Sequence, residues 1–325
     1  MKTASVLCVG LALVAVFAAE RSHVPPRAPR AADSAPDAAS AALLAKLGEV
    51  RSAVIECSVT LHAVLPGYDA PLFPLNVDVP GTAFFAIDRT LGHSRVSTVV
   101  GAAGEFGASD IAILGDSKVE AVNALARTGV FGQIPPDAHP TSAMMFPDPL
   151  ILCAAHLFRW TDDRASTPPT WRDLGIELVA PASDLWSEPD LLPDDLAPVP
   201  GGSVLFAEFD GGSLDGAGMT WRVWREGRSI LPLRTDLVDE FGETLTRIDF
   251  QTDALGGPGQ PWPVVVRVSD FESGALAGWY ELQVLSLAVN APPLLPPETW
   301  STDLSSCEFL FDLDEGAIVS MGHGR

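Results

Sequence analysis

The chain has 325 residues, and its 20 Lys and Arg against 42 Asp and Glu give a formal net charge of −22 at pH 7. A surface of that sign repels phosphate backbones, whose binding depends on cationic neutralisation, so nucleic acid is excluded as a partner. An apolar fraction of 47% is ample for a large buried core.

The first residues read as a secretory leader. Met1-Lys2-Thr3 supplies a short positive start, Ala4 to Ala19 is apolar apart from Ser5 and Gly10, and the chain turns polar at Glu20. Val16-Phe17-Ala18 carries the small-residue pattern of a cleavage site, which places residues 1–18 in a signal peptide. The competing reading is an uncleaved anchor, although a spanning helix needs roughly 18 or more apolar residues and this run is shorter. Residues 19–40, rich in Pro and Ala and without apolar periodicity, read as a disordered linker. Its arginines, Arg21, Arg27 and Arg30, read as solvated charges.

From Ala38 to Ser52 the residues Leu43, Leu44, Leu47 and Val50 fall on one helical face, with Ser40 as the expected cap. The period then drops to two. Ile55, Cys57, Val59, Leu61, Ala63 and Leu65 alternate with polar residues up to Pro66-Gly67, which predicts a half-buried strand. Further strands are expected over Thr82 to Arg89, His93 to Val100 and Asp110 to Leu114. Gly115-Asp116-Ser117 then reads as a turn into Val119 to Ala124, with a helix across Lys118 to Arg127 as the rival. Pro147 to Trp160 reads as a buried helix. Asp162 to Pro200 is a Pro/Asp-rich insertion with a short helix expected at Trp171 to Leu174, and it is the boundary if there are two domains.

The last third predicts strands at Ser203 to Asp210, Met219 to Glu226, Ile230 to Asp239, Thr244 to Phe250, Trp262 to Phe271 and Trp279 to Asn290. Connections this short force antiparallel neighbours, because a parallel pair needs a crossover of roughly a dozen residues. After the proline-rich Ala291 to Pro297 comes a final strand at Ala317 to Ser320.

Several short motifs stand in a fixed order: D-x-x-x-x-G-D-S at Asp110 to Ser117, Pro-x-Pro-Leu-Ile-Leu at Pro147 to Leu152, Leu-Pro-Leu-Arg at Leu231 to Arg234, Trp262-Pro263, and L-x-V-N-x-P at Leu287 to Pro292. In that order the chain, over about Ala38 to Ser320, resembles the LolA type of exported periplasmic lipoprotein carrier. The resemblance implies a mainly β, α+β fold: an open, curved antiparallel sheet whose concave face is covered by helices, in a single domain over residues 41–325. It also implies a cavity for a lipid or lipoprotein acyl chain, held without covalent chemistry. No position matches the family's lid-closing arginine or its receptor-binding surface.

A ligand face needs apolar and aromatic side chains on one side of the sheet. Phe84, Phe206, Trp221, Val223 and Leu282 are the candidate ligand-binding residues, each in an alternating strand. The same pattern describes a sheet packed on a filled core, in an interaction module that meets an envelope protein partner through its acidic surface. No cofactor is expected. His62, His93, His139, His156 and His323 lack metal-ligand spacing, and no G-x-S-x-G elbow or other catalytic motif is present, so an enzyme is not expected. Asp312 to Gly316 and Asp210-Gly211-Gly212 read as hairpin turns rather than calcium loops. Cys8 belongs to the leader. Cys57, Cys153 and Cys307 allow one disulfide with one free thiol, or three buried thiols.

Overall fold

The computed structural model describes residues 30–31, 38–65, 74–115, 117–133, 146–159, 172–177, 203–214, 217–226, 229–253, 262–291 and 296–320. Residues 1–18, expected as a leader, with Cys8 among them, lie outside them, as do His139, His323, Pro66-Gly67 and most of the insertion at 162–200.

Helix α1 (Ala38–Gly48) leads almost directly into β2 (Ser52–Ala63), whose alternate residues from Ala53 to Ala63 are buried as the period of two requires. Ser40 is not the cap. It lies in the first turn of α1 and is buried. A meander follows through β3 (Val79–Asp88), β4 (His93–Val100), β5 (Gly107–Leu114), β6 (Lys118–Asn123) and β7 (Thr128–Gln133). Of the two readings at Lys118 to Arg127, the strand is therefore the one adopted, and its continuation β7 extends the meander by a strand that the sequence pattern does not announce.

The predicted helix at Pro147 to Trp160 is broken into pieces. Helix α2 (Pro149–Leu152) is one turn, capped by Asp148, which accepts the N–H groups of Leu150 and Ile151 at 2.9 Å each. A 3-10 turn at Ala155–Leu157 and β8 (Phe158–Arg159) follow, the latter paired with β1 (Arg30–Ala31). Leu150, Leu152, Cys153, Ala154, His156 and Leu157 are all buried. With only Ile151 and Ala155 half-buried between Leu150 and Leu157, the run is positioned by packing, and no polar stripe holds it to one long helix.

The short helix expected at Trp171 to Leu174 is not formed over its described residues: β9 (Arg172–Glu177) is a strand at the sheet edge, and Trp171 lies outside the described residues. The second meander runs through β10 (Ser203–Leu214), β11 (Ala217–Glu226), β12 (Pro232–Val238), β13 (Thr244–Asp253), β14 (Trp262–Glu272) and β15 (Ala275–Val289), close to the expected boundaries. Asp210-Gly211-Gly212 is a bulge inside β10 rather than a turn: the register shifts there, Gly212 takes φ +87°, and its N–H donates to Asp210 Oδ1.

The two meanders fuse at their ends. β2 pairs antiparallel with β15 from Ala53↔Val289 to Ala63↔Gly278, giving, with β16 (Phe309–Asp312) and β17 (Ala317–Ser320), one open curved sheet of 15 strands in the order 17-16-7-6-5-4-3-2-15-14-13-12-11-10-9. Asn290 pins this seam. At φ +54° its Oδ1 accepts the N–H groups of Arg51 and Ser52, and its Nδ2 donates to Glu49 O.

After β15 the chain crosses the sheet through 3-10 turns at Pro297–Trp300 and Leu304–Ser306, then adds β16 (Phe309–Asp312) parallel to β7 and β17 (Ala317–Ser320) beyond it. β7 and β16 can pair in parallel because the whole second meander separates them in the chain, a connection far longer than a parallel pair needs. Asp312 to Gly316 is the β16–β17 turn, with Asp312 Oδ1 accepting from Asp314 and Glu315. The architecture is that of an open, curved, almost wholly antiparallel sheet with helices against one face.

Candidate functional site: the inner face of the sheet

The face that carries α1 and α2, here the inner face, holds the main core. One apolar cluster runs without interruption across nine neighbouring strands, from Val96 and Val100 on β4 to Ala207 and Phe209 on β10. At about 4.8 Å per strand spacing those nine strands span roughly 38 Å, whereas the 11 residues of α1 make a rod only about 16 Å long.

Leu43 and Leu47 of α1 enter the cluster, each contributing on the order of 1.5–3 kcal/mol by burial. Lys46 Nζ lies 4.0 Å from the Trp262 ring centre, and burial lowers its pKa. Arg89 Nη1 donates to Leu47 O at 2.8 Å, closing the helix onto β3. Phe146, just before α2, meets Tyr280 with ring centres 4.8 Å apart.

The candidate ligand residues divide between the two faces. Trp221, Val223 and Leu282 lie in the inner cluster, 4%, 1% and 0% exposed. Phe84 faces outward between Glu56 and Ser97, its cross-strand partners. Phe206 also faces outward, 1% exposed, with its ring 5.2 Å from that of its partner Trp224. The inner residues of those strands are Ala83 and Phe85, and Ala207 and Phe209. Both strands are apolar at successive positions, so no parity in the sequence orients Phe84 and Phe206.

The outer face of the second meander is built from cross-strand ion pairs: Arg222 with Glu208, Arg234 with Asp249, Arg247 with Asp236 and Arg267 with Glu281, at 2.6–3.1 Å. Burial raises the Asp249 pKa, against the pull of Arg234. On the first meander the outer face carries the C-terminal crossing: Arg95 binds Asp110 in a bidentate pair and donates to Thr299 O at 2.6 Å.

Asp110, Asp148, Arg234 and Asn290 are thus the residues through which four of the five ordered motifs act, and all four hold the architecture together. None of them was identified from sequence as structural, and only their partners reveal it.

Among the described residues no group of three or more His, Cys, Asp or Glu could hold a metal ion, and no helix is long and apolar enough to cross a membrane. Cys57, Cys153 and Cys307 are three free, buried thiols. Burial pushes the Cys57 thiol up to about 12, and Cys153 above the ordinary range by the same cause, so neither is a thiolate at neutral pH.

No family model matches the chain, and no curated protein matches its sequence. Among the solved structures similar to it are the following three. A domain described as an outer-membrane lipoprotein-sorting protein from Vibrio parahaemolyticus is 11% identical over 80% of this chain and 95% of that one, with a TM-score of 0.42. A LolA superfamily protein from Nitrosomonas europaea is 11% identical over 81% and 98%, at 0.41. A DUF1329 family protein from Desulfovibrio piger is 11% identical over 82% and 100%, at 0.39. The arrangement of this chain is an open, curved, mostly antiparallel sheet with helices on one face.

Proposed function

We propose that the protein is exported to the cell envelope and there holds an apolar ligand, a lipid or the acyl chain of a lipoprotein, by hydrophobic burial against the inner face. The observation that supports this reading is the unbroken apolar surface across nine strands beneath α1 and α2. Burial alone supplies the affinity, at about 0.8 kcal/mol for each methylene removed from water, and the action needs no covalent step. The cluster is closed as it stands, so a chain would enter by displacing α1 and with it Leu43 and Leu47.

That closure is also what favours a second reading. With Val223 and Leu282 at 1% and 0% exposure the core is filled there, as in an interaction module that meets an envelope protein through its acidic surface. Native mass spectrometry of the protein purified from its own envelope, followed by organic extraction, separates the two. A stoichiometric lipid that is lost in Leu282→Asp, in a variant shown to remain folded, is the expected result. A bare mass with no uptake of added palmitate would overturn the carrier reading and favour the module, whose partner binding should weaken with salt.

A further inference from the structure

Hydroxyl groups that the sheet turns inward generally meet a partner. Thr98 Oγ1 lies 2.7 Å from Ser109 Oγ, and Thr246 Oγ1 donates to Asp270 Oδ1 at 2.9 Å. Trp221 Nε1 and Thr235 Oγ1, also on the inner face, do not. Trp221 is 4% exposed and its indole N–H has no acceptor; Thr235 is 0% exposed and its Oγ1 has neither donor nor acceptor. A buried polar group without a partner is costly, and native cores keep few of them.

The two residues are neighbours. Trp221 pairs with Leu237 and Val223 with Thr235 across β11 and β12, so Trp221 and Thr235 are diagonal partners on one face, about 7–8 Å apart by backbone position. An indole N–H can only donate and a threonine hydroxyl can also donate, so together they suit an acceptor oxygen. A cleft of about 10 Å³, room for one oxygen-sized atom, lies on the same face, bordered by Ser40, His156, Arg225, Ile230, Pro232 and Val223, the last being the cross-strand partner of Thr235. The guanidinium of Arg225 and the first turn of the 11-residue α1 both border that cleft, and both favour negative charge.

We infer that Trp221 and Thr235 form the polar end of the binding face and receive the carbonyl oxygen of an acyl chain, whether the carboxylate of a free fatty acid or the ester carbonyl of an acylated lipid. This rests on the carrier reading above and adds an orientation to it: the acyl head sits between β11 and β12, and the hydrocarbon runs along the inner face towards β15 and β2.

The test titrates the full-length mature protein with three probes: palmitate, methyl palmitate, and N-phenyl-1-naphthylamine, which is apolar and has no carbonyl. Trp221→Phe, Thr235→Val and the double variant remove the donors; Thr235→Val should melt no lower than the parent because it removes an unpaired buried atom, whereas Trp221→Phe and the double variant also lose buried ring volume and should melt lower. The double variant should bind palmitate about 10-fold more weakly or worse, as expected for lost hydrogen bonds to a charged acceptor, with naphthylamine affinity kept within about twofold. An equal loss for methyl palmitate assigns the site to the ester carbonyl as well; a loss confined to palmitate assigns it to the carboxylate. Unchanged palmitate affinity in a double variant that still binds both probes overturns the polar site and leaves the carrier reading standing. If the parent protein binds none of the three, both fail together. Should the double variant not fold, Thr235→Val alone carries the test, with an expected loss of about threefold or more.

Discussion

Asp88 shows how a single side chain can be both structural and pH-sensitive. Fully buried at the end of β3, its Oδ1 accepts the N–H and O–H of Thr90 at 2.9 and 2.6 Å and the N–H of Leu91 at 3.2 Å. Burial pushes its pKa up, but the hydrogen bonds from Thr90 and Leu91, with His93 nearby, outweigh that and hold the carboxyl below its ordinary value. A depressed carboxylate contributes stability above its unfolded pKa of about 3.9, and that contribution is lost as pH falls through the lower folded value. Asp88→Ala should therefore cost about 1–2 kcal/mol at neutral pH and flatten the acid limb of the stability curve below about pH 4, measured as urea midpoints across pH. An acid limb identical to the parent's would show that Asp88 is not the group responsible. At this scale the sequence was legible for Trp221, Val223 and Leu282, whose strands alternate cleanly. It was not for Phe84 and Phe206, because Ala83 to Ile87 and Val204 to Ala207 are apolar at every position and give no parity to read.

Elements were legible wherever a turn residue bounded a clean alternation, which is why the strands from β10 to β15 fall close to their expected positions. β7 and β16 were missed for the opposite reason. β7 is a six-residue run containing two glycines, and β16 is only four residues long, so neither has enough period to register. Their existence depends on each other. A Cβ built on Gly129 of β7 would stand 2.7 Å from Leu310 Cδ2 of β16, 2.9 Å from Cys307 Sγ and 3.0 Å from Ala121 O. Gly129→Ala should thus cost about 1–3 kcal/mol by overpacking and release β16 and β17 first, seen as hydrogen-exchange protection lost at Leu310 and Phe311 while β2 and β15 keep theirs. Uniform loss across the sheet would contradict that order. The helix expected at Pro147 to Trp160 failed on the same principle: its apolar content was read correctly, but a run without a polar stripe does not specify a period.

Across the whole molecule the decisive contact is the β2–β15 seam, where strands more than 200 residues apart, as in the Ser58–Gln283 hydrogen bond, join two meanders into one sheet. A single apolar cluster then spans both meanders. Leu282, at 0% exposure opposite Val59, sits in the middle of that seam. Leu282→Ala should cost about 2–5 kcal/mol and lower one cooperative transition, detected together by tryptophan fluorescence and by exchange at β5–β6 and β11–β12. Two separate transitions would instead identify the meanders as independent units. Long-range pairing of this kind also places the chain among slow folders, since loop closure precedes the contacts that reward it.

The sequence by itself determined the class of this protein: an acidic chain opening with a leader-like run, a helix joined to a strand, and strands whose period and turn residues make antiparallel neighbours unavoidable. These follow from local rules of spacing and backbone preference. The tertiary structure decided which end strands meet, that the C-terminal crossing returns to pair in parallel with β7, which parity of β3 and β10 faces the core, and that Trp221 and Thr235 come together on that face. Those outcomes depend on contacts between residues far apart in the chain, and no local period encodes them.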